Sequence, residues 1–229
     1  MDENVHKGHR GRIRERYILE GLDGFADHQV LEFLLFYCYP RRDTNELAHS
    51  MLSEFGSLVN LFEAHPLEIS ERCGVSENVA ALLSLIPSLS RRYLSARWTG
   101  RTSLDTPKKA GGYACSLFTG LNVEYFYVFC LDSKRALINA AKVFEGTVNE
   151  AAIYPREIVA TAIKHKALAV ILAHNHPSGV LAPSRNDIEA TKRIIKALET
   201  VNVSVIDHII TAGDSYFSFS EKRTLPLFY

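Results

Sequence analysis

The sequence predicts an α/β (α+β) protein: a helical N-terminal region followed by a region where strands and helices alternate. Three observations predict this. Up to residue 99, apolar residues recur at helical spacing in 27–39, 45–54, 58–64 and 77–93, with Gly56 and Pro66 as breaks. Between 96 and 103 that periodicity stops and small polar residues gather, which marks a boundary between a domain at 1–99 and one at 102–229. Beyond it, short aromatic and β-branched runs alternate with amphipathic segments, as in a mixed sheet flanked by helices. At 229 residues the chain is long enough for two modest cores.

Taken in order, the first cluster of note is Lys7, Arg10, Arg12, Arg14 and Arg16, interrupted by Glu15. It reads as a solvated N-terminal arm. Next, Arg72-Cys73-Gly74-Val75-Ser76-Glu77 resembles a helix-hairpin-helix turn, where Gly-x-Gly lets backbone amides approach a phosphate. Ser76 stands at the second glycine position and speaks against direct phosphate contact. Residues 1–99 carry 11 Lys and Arg against 14 Asp and Glu, so this region lacks the overall positive charge of a DNA binder.

In the second region, Thr106 reads as an N-cap before Pro107 at the first helical position, opening a helix over 107–118 that stops at Gly120. Strands are expected at 124–131 and 136–144, a helix at 155–166, and a buried strand at 168–173. A helix at 185–199 and two strands around Gly213-Asp214-Ser215 complete the alternation.

The chemistry concentrates in His174-Asn175-His176-Pro177-Ser178-Gly179, followed by Pro183-Ser184-Arg185-Asn186-Asp187. Side chains two apart on an extended segment point the same way, so both imidazoles can face one point. Asp187 arrives at the start of the next helix. Three protein ligands without an evident fourth match a catalytic zinc, which keeps a position for water. The competing reading is structural: His-x-His as polar surface at a strand end, and Ser184-x-x-Asp187 as a capping box. Glu124, at the mouth of the strand 124–131, is a candidate general base, since a carboxylate beside the metal can shuttle a proton. Glu157 is its rival, although its place in the first turn of a helix already accounts for it.

His174-Asn175-His176-Pro177, Ser184 and Asp187 together resemble the His-x-His-Pro…Ser-x-x-Asp motif of the JAMM or MPN-plus metalloproteases. Tyr154-Pro155-Arg156-Glu157, the run from His174 to Gly179, and Asp207-His208-Ile209-Ile210 resemble the bacterial RadC family in particular. Gly8-His9-Arg10, Gly21-Leu22, Leu34-Leu35-Phe36-Tyr37 and Pro40-Arg41-Arg42-Asp43-Thr44-Asn45 extend the resemblance over nearly the whole chain. It implies a JAMM fold in which His174, His176 and Asp187 bind zinc and Glu124 is the general acid/base. It also implies that Ser184 stabilises the tetrahedral oxyanion. Two functional classes stay open: a zinc-dependent peptidase or isopeptidase acting on a peptide or protein, and a DNA-repair-associated accessory protein using the metal domain to bind.

Composition constrains the setting. No stretch approaches the length of a membrane span, and Met1-Asp2-Glu3-Asn4 does not begin a secretory signal, so a cytoplasmic protein is expected. Cys38, Cys73, Cys115 and Cys130 are scattered without a Cys-x-x-Cys pair and read as reduced core residues.

Overall fold

A computed structural model of the chain describes residues 8–98, 102–146 and 154–224. Lys7, the opening Met1-Asp2-Glu3-Asn4 and the centre of the predicted boundary at 99–101 lie outside the described residues. The chain divides into two compact units, with the division between Ser88 and Leu89. That point lies inside helix α6 (Glu77–Ala96), one residue past Pro87, which lacks the N–H for one turn of the helical ladder. No helix among the described residues is long and apolar enough to cross a membrane.

The first unit is helical: α1 (His9–Glu20), α2 (Asp27–Cys38), α3 (Asn45–Phe55), α4 (Leu58–Glu63), α5 (Pro66–Cys73) and the first half of α6. Its core joins Leu31 and Leu35 of α2, Met51 and Phe55 of α3, Leu61, Ile69, Val79 and Leu83. Two elements differ from the sequence expectation. The basic segment read as an arm is helix α1, held by its own arginines. Arg10 donates to the backbone carbonyls of Phe36, Tyr39 and Arg42 and lies 4.7 Å from the Phe36 ring centroid. Arg16 donates to the Gly24 carbonyl and lies 4.6 Å from the Phe25 ring centroid. Pro66, read as a break, instead opens α5 at its first position, where a missing N–H costs nothing, and the His65 ring caps it. The hairpin turn follows: Gly74 ends α5 in the left-handed region at φ 62°. Arg72 beside it is committed to Glu54 and Glu68.

The second unit is a five-stranded sheet of order β2-β1-β3-β4-β5. Its strands are β1 (Tyr125–Leu131), β2 (Leu137–Glu145), β3 (Ala169–Asn175), β4 (Ser204–Ala212) and β5 (Ser215–Ser218). All neighbours pair antiparallel except β3 and β4, which run parallel through the crossover helix α9 (Arg185–Glu199). β3 is therefore central, which is why its run Val170 to Ala173 is apolar on both faces.

The two faces have separate cores. Phe129, Leu131, Ile171, Ala173 and Ile209 pack with α7 (Pro107–Phe118). Phe126, Val128, Val170 and Leu172 pack with α9 and α8 (Pro155–Lys164). The predicted Thr106 cap is present, its hydroxyl accepting from the Lys109 amide at 3.3 Å. Trp98 also belongs to this unit, donating to the Ser116 hydroxyl at 3.1 Å and meeting Tyr113 edge-on. Closest to the sheet, α7 presents Gly111 to the Tyr216 ring, where a Cβ would come within 2.5 Å of ring carbons.

Candidate metal centre

The site lies where β3 ends and α9 begins. The register places His174 beside Phe126 of β1 and Ile210 of β4, and the chain leaves the sheet just beyond Asn175. The His176 amide still reaches the Thr211 carbonyl at 2.7 Å, which fixes the ring two residues on from His174 over the same face. The turn through Gly179 and the loop to Pro183 return the chain to Ser184, the N-cap of α9.

Here the two readings of Asp187 prove compatible. Its Oδ2 accepts from the Ser184 amide at 2.6 Å while its amide donates to the Ser184 hydroxyl at 3.1 Å, a complete capping box. Its Oδ1 stands 3.2 Å from His174 Nε2. A carboxylate has two oxygens: the cap leaves Oδ1 for His174, while Oδ2, the capping oxygen, is the one near His176 Nε2 at 3.7 Å. Burial alone would raise the Asp187 carboxyl, but the His174 imidazole and the Ser184 hydroxyl and amide hold it well below its ordinary range. Burial pushes the His174 imidazole below its ordinary range, against the pull of Asp187.

Three donor atoms thus converge. The His174 and His176 Nε2 atoms are 2.9 Å apart, and Asp187 oxygens lie 3.2 Å from the first and 3.7 Å from the second. Protein ligands about 2.0–2.2 Å from a tetrahedral zinc are separated by roughly 3.3–3.5 Å, and the observed separations bracket that range. The outer nitrogens are engaged: His176 Nδ1 donates to the Val180 carbonyl at 2.6 Å, and His174 Nδ1 meets His208 Nε2 at 2.9 Å. Because its Nδ1 donates to a carbonyl, neutral His176 turns an unprotonated Nε2 toward His174 Nε2 and the Asp187 carboxylate. A shared cation makes that arrangement favourable, and a set of two nitrogens and one oxygen suits zinc. The residues fit the metal.

Glu124 approaches the same point from a different element. It offers a carboxylate oxygen within 4.8 Å of ring nitrogens of both His174 and His176. A carboxylate at that place is close enough to the two imidazoles to be a further ligand or a proton acceptor beside a shared ion. Its backbone is clamped by Asn175, whose Oδ1 accepts from the Tyr125 amide at 2.7 Å. The Asn175 amide group donates to the Val123 carbonyl at 2.9 Å and the Leu121 carbonyl at 3.3 Å. Glu124 is thus bracketed on both sides by one buried side chain. Glu157 is an exposed residue in the first turn of α8, and the carboxylate grouped with the two imidazoles is that of Glu124.

Sequence reasoning missed three residues. Asn175 filled the x of His-x-His without a role. His208 was noted within a motif and left unassigned, and Thr191 was not singled out. All three are buried polar residues whose hydrogen-bond partners the fold supplies, and their immediate neighbours in the sequence carry no signal for them.

Comparison with known proteins agrees with this geometry. The family described as RadC-like JAB domain matches residues 104–224. A UPF0758 protein of Fusobacterium nucleatum subsp. nucleatum is 37% identical over 229 residues, covering 97% of this chain and 99% of that protein. A UPF0758 protein of Pseudoalteromonas translucida is 37% identical over 211 residues, 92% and 94% of the two chains.

Proposed function

The chain belongs to the RadC family and carries its JAB/MPN-type domain, and from that premise we propose that it is a zinc-dependent hydrolase of amide bonds in a peptide or protein. The observation that carries this reading is the convergence of two imidazole Nε2 atoms and an Asp187 carboxylate at 2.9–3.7 Å, with a second carboxylate, that of Glu124, within 4.8 Å of both imidazoles.

In this reading His174, His176 and Asp187 hold the zinc. Bound there, the metal supplies Lewis acidity, polarising a carbonyl and lowering the pKa of water. Glu124 accepts the proton of the attacking water and delivers it to the leaving amine. Its position depends on the Asn175 clamp. Ser184 uses its oxygen to cap α9, which leaves its hydroxyl proton for the developing oxyanion. The hydrolase domain is residues 102–229, and the helical domain at 1–99 recruits substrate. Free thiols at Cys38, Cys73, Cys115 and Cys130 suit a reducing compartment, and the proposal places the protein in the cytoplasm.

The alternative reading, a nucleic-acid accessory protein, gains nothing from Arg10, Arg16 and Arg72, which are engaged by backbone carbonyls and carboxylates. The test is elemental analysis of the purified chain together with a screen of peptide and isopeptide substrates, with and without chelator. Near-stoichiometric zinc and chelator-sensitive cleavage are expected. A metal-free protein that stays metal-free in excess zinc would overturn the reading.

A further inference from the structure

His208 is completely buried and lies outside the donor set, yet each of its nitrogens has a partner. On β4 it pairs with Leu172, one same-face step before His174. Its ring stacks on Phe219 at 4.9 Å and 12° and meets Phe126 at 5.7 Å, so packing fixes its plane. Nδ1 lies 2.7 Å from the Thr191 hydroxyl and Nε2 lies 2.9 Å from His174 Nδ1.

The proton order along this chain follows from its far end. The Thr191 hydroxyl is 2.6 Å from the Asp187 backbone carbonyl, which can only accept. Thr191 has one proton and gives it there, so toward His208 it must accept. His208 Nδ1 is therefore the donor and its Nε2 the acceptor. His174 must then carry its proton on Nδ1, which leaves a lone pair on Nε2. The path closes on itself, because the Asp187 whose carbonyl starts it also offers its carboxylate to the same point as His174 Nε2.

We propose that His208, oriented by Thr191, is a positioning residue that locks His174 in its Nδ1–H tautomer and so presents the Nε2 lone pair to the metal. The inference rests on the metal reading above, but the tautomer itself exists without metal and can be measured separately. A donor ligand held this way is pre-organised, and partners of this kind are generally worth about 10–100-fold in metal affinity.

The experiment uses the full chain and four proteins: the parent, His208→Phe, His208→Gln and Thr191→Val. Zinc affinity is measured by chelator competition, and the His174 tautomer by nitrogen-15 imidazole shifts of the metal-free protein. The parent should show His174 protonated on Nδ1. His208→Phe keeps the stacking but should weaken zinc binding about 10–100-fold and shift the tautomer toward Nε2–H. His208→Gln, which again offers an acceptor and a donor, should recover most of the affinity. Thr191→Val should weaken binding in the same direction and serves as the test if His208→Phe does not fold. Parent affinity retained in His208→Phe or Thr191→Val overturns the proposal, as does a parent His174 protonated on Nε2. If the parent takes up no zinc at all, the metal reading fails, and the tautomer measurement still decides the role of His208.

Discussion

The two units use polar side chains in opposite ways. In the helical unit, three arginines reach backbone: Arg10 caps the carbonyls of Phe36, Tyr39 and Arg42, Arg16 that of Gly24, and Arg72 that of Glu54, besides the carboxylates of Glu54 and Glu68. In the sheet unit, the chain of Thr191, His208 and His174 ends on an unprotonated nitrogen facing His176 and Asp187. Polar groups that terminate on carbonyls close off their donors and stabilise local structure. A directional chain that terminates on a lone pair leaves something to be bound. The comparison teaches that a satisfied hydrogen bond does not by itself mark a site; the direction of the donors does.

The largest test is to remove the terminus. His176→Ala should lose the zinc and with it all chelator-sensitive hydrolysis, as elemental analysis and a cleavage assay would record. A variant at full zinc occupancy breaks the assignment. Second, Glu124→Gln should keep its zinc and lose roughly 100 to 10,000-fold in turnover, while Glu157→Gln stays near the parent rate. The reverse pattern would transfer the base to Glu157.

On the other side of the comparison, Arg10→Ala should cost the helical unit about 1–2 kcal/mol, the scale of lost charged hydrogen bonds at a partly exposed site. It should leave zinc affinity unchanged, and a denaturant titration beside a chelator competition reads both. Changing pH sharpens the contrast further. Burial holds His174 and His208 below the 6.5 of a free imidazole, so unfolded chains take up protons that the folded, metal-free chain refuses. Stability of chelated protein should be full above about pH 6.5 and decline as the pH falls below it. A flat profile from pH 7 to 5 would mean these histidines are not buried and neutral. The smallest effect is expected at Ser184→Ala, about 1 kcal/mol from loss of the α9 cap. A thermal melt isolates that loss, and any further fall in turnover measures the oxyanion role.

Much of the second unit was legible because its signals are local. Alternation and apolar runs located β1, β3 and α9, and the two-residue step from His174 to His176 predicted a shared direction. Asp187 was harder, since the same Ser184-x-x-Asp187 pattern reads as a cap or as a ligand, and only coordinates show Oδ2 in the cap with Oδ1 turned to His174. The helical unit was less legible. α1 carries basic residues so densely that it reads as solvated chain, yet Arg10 is satisfied by carbonyls of α2 and the loop after it, and Arg16 by that of Gly24 before α2. Pro66 reads as a break from sequence and acts as a start, because its effect depends on which side the helix lies. Asn175, Thr191 and His208 were out of reach for a different reason: apart from the Asp187 carbonyl four residues before Thr191, the side-chain and backbone partners that place them lie between 17 and 54 positions away in the chain.

The parallel pairing of β3 with β4 also carries a kinetic consequence. Parallel neighbours cannot be joined by a tight turn, and the connection here runs through the whole of α9. Such non-local contacts form late, after the entropy of closing the intervening loop has been overcome. The donor set draws on the end of β3 and the start of α9, while the group that orients His174 waits on β4. A chain still folding thus has no well-ordered place for the ion, and a stopped-flow trace of zinc capture should follow the slowest step of sheet assembly instead of preceding it.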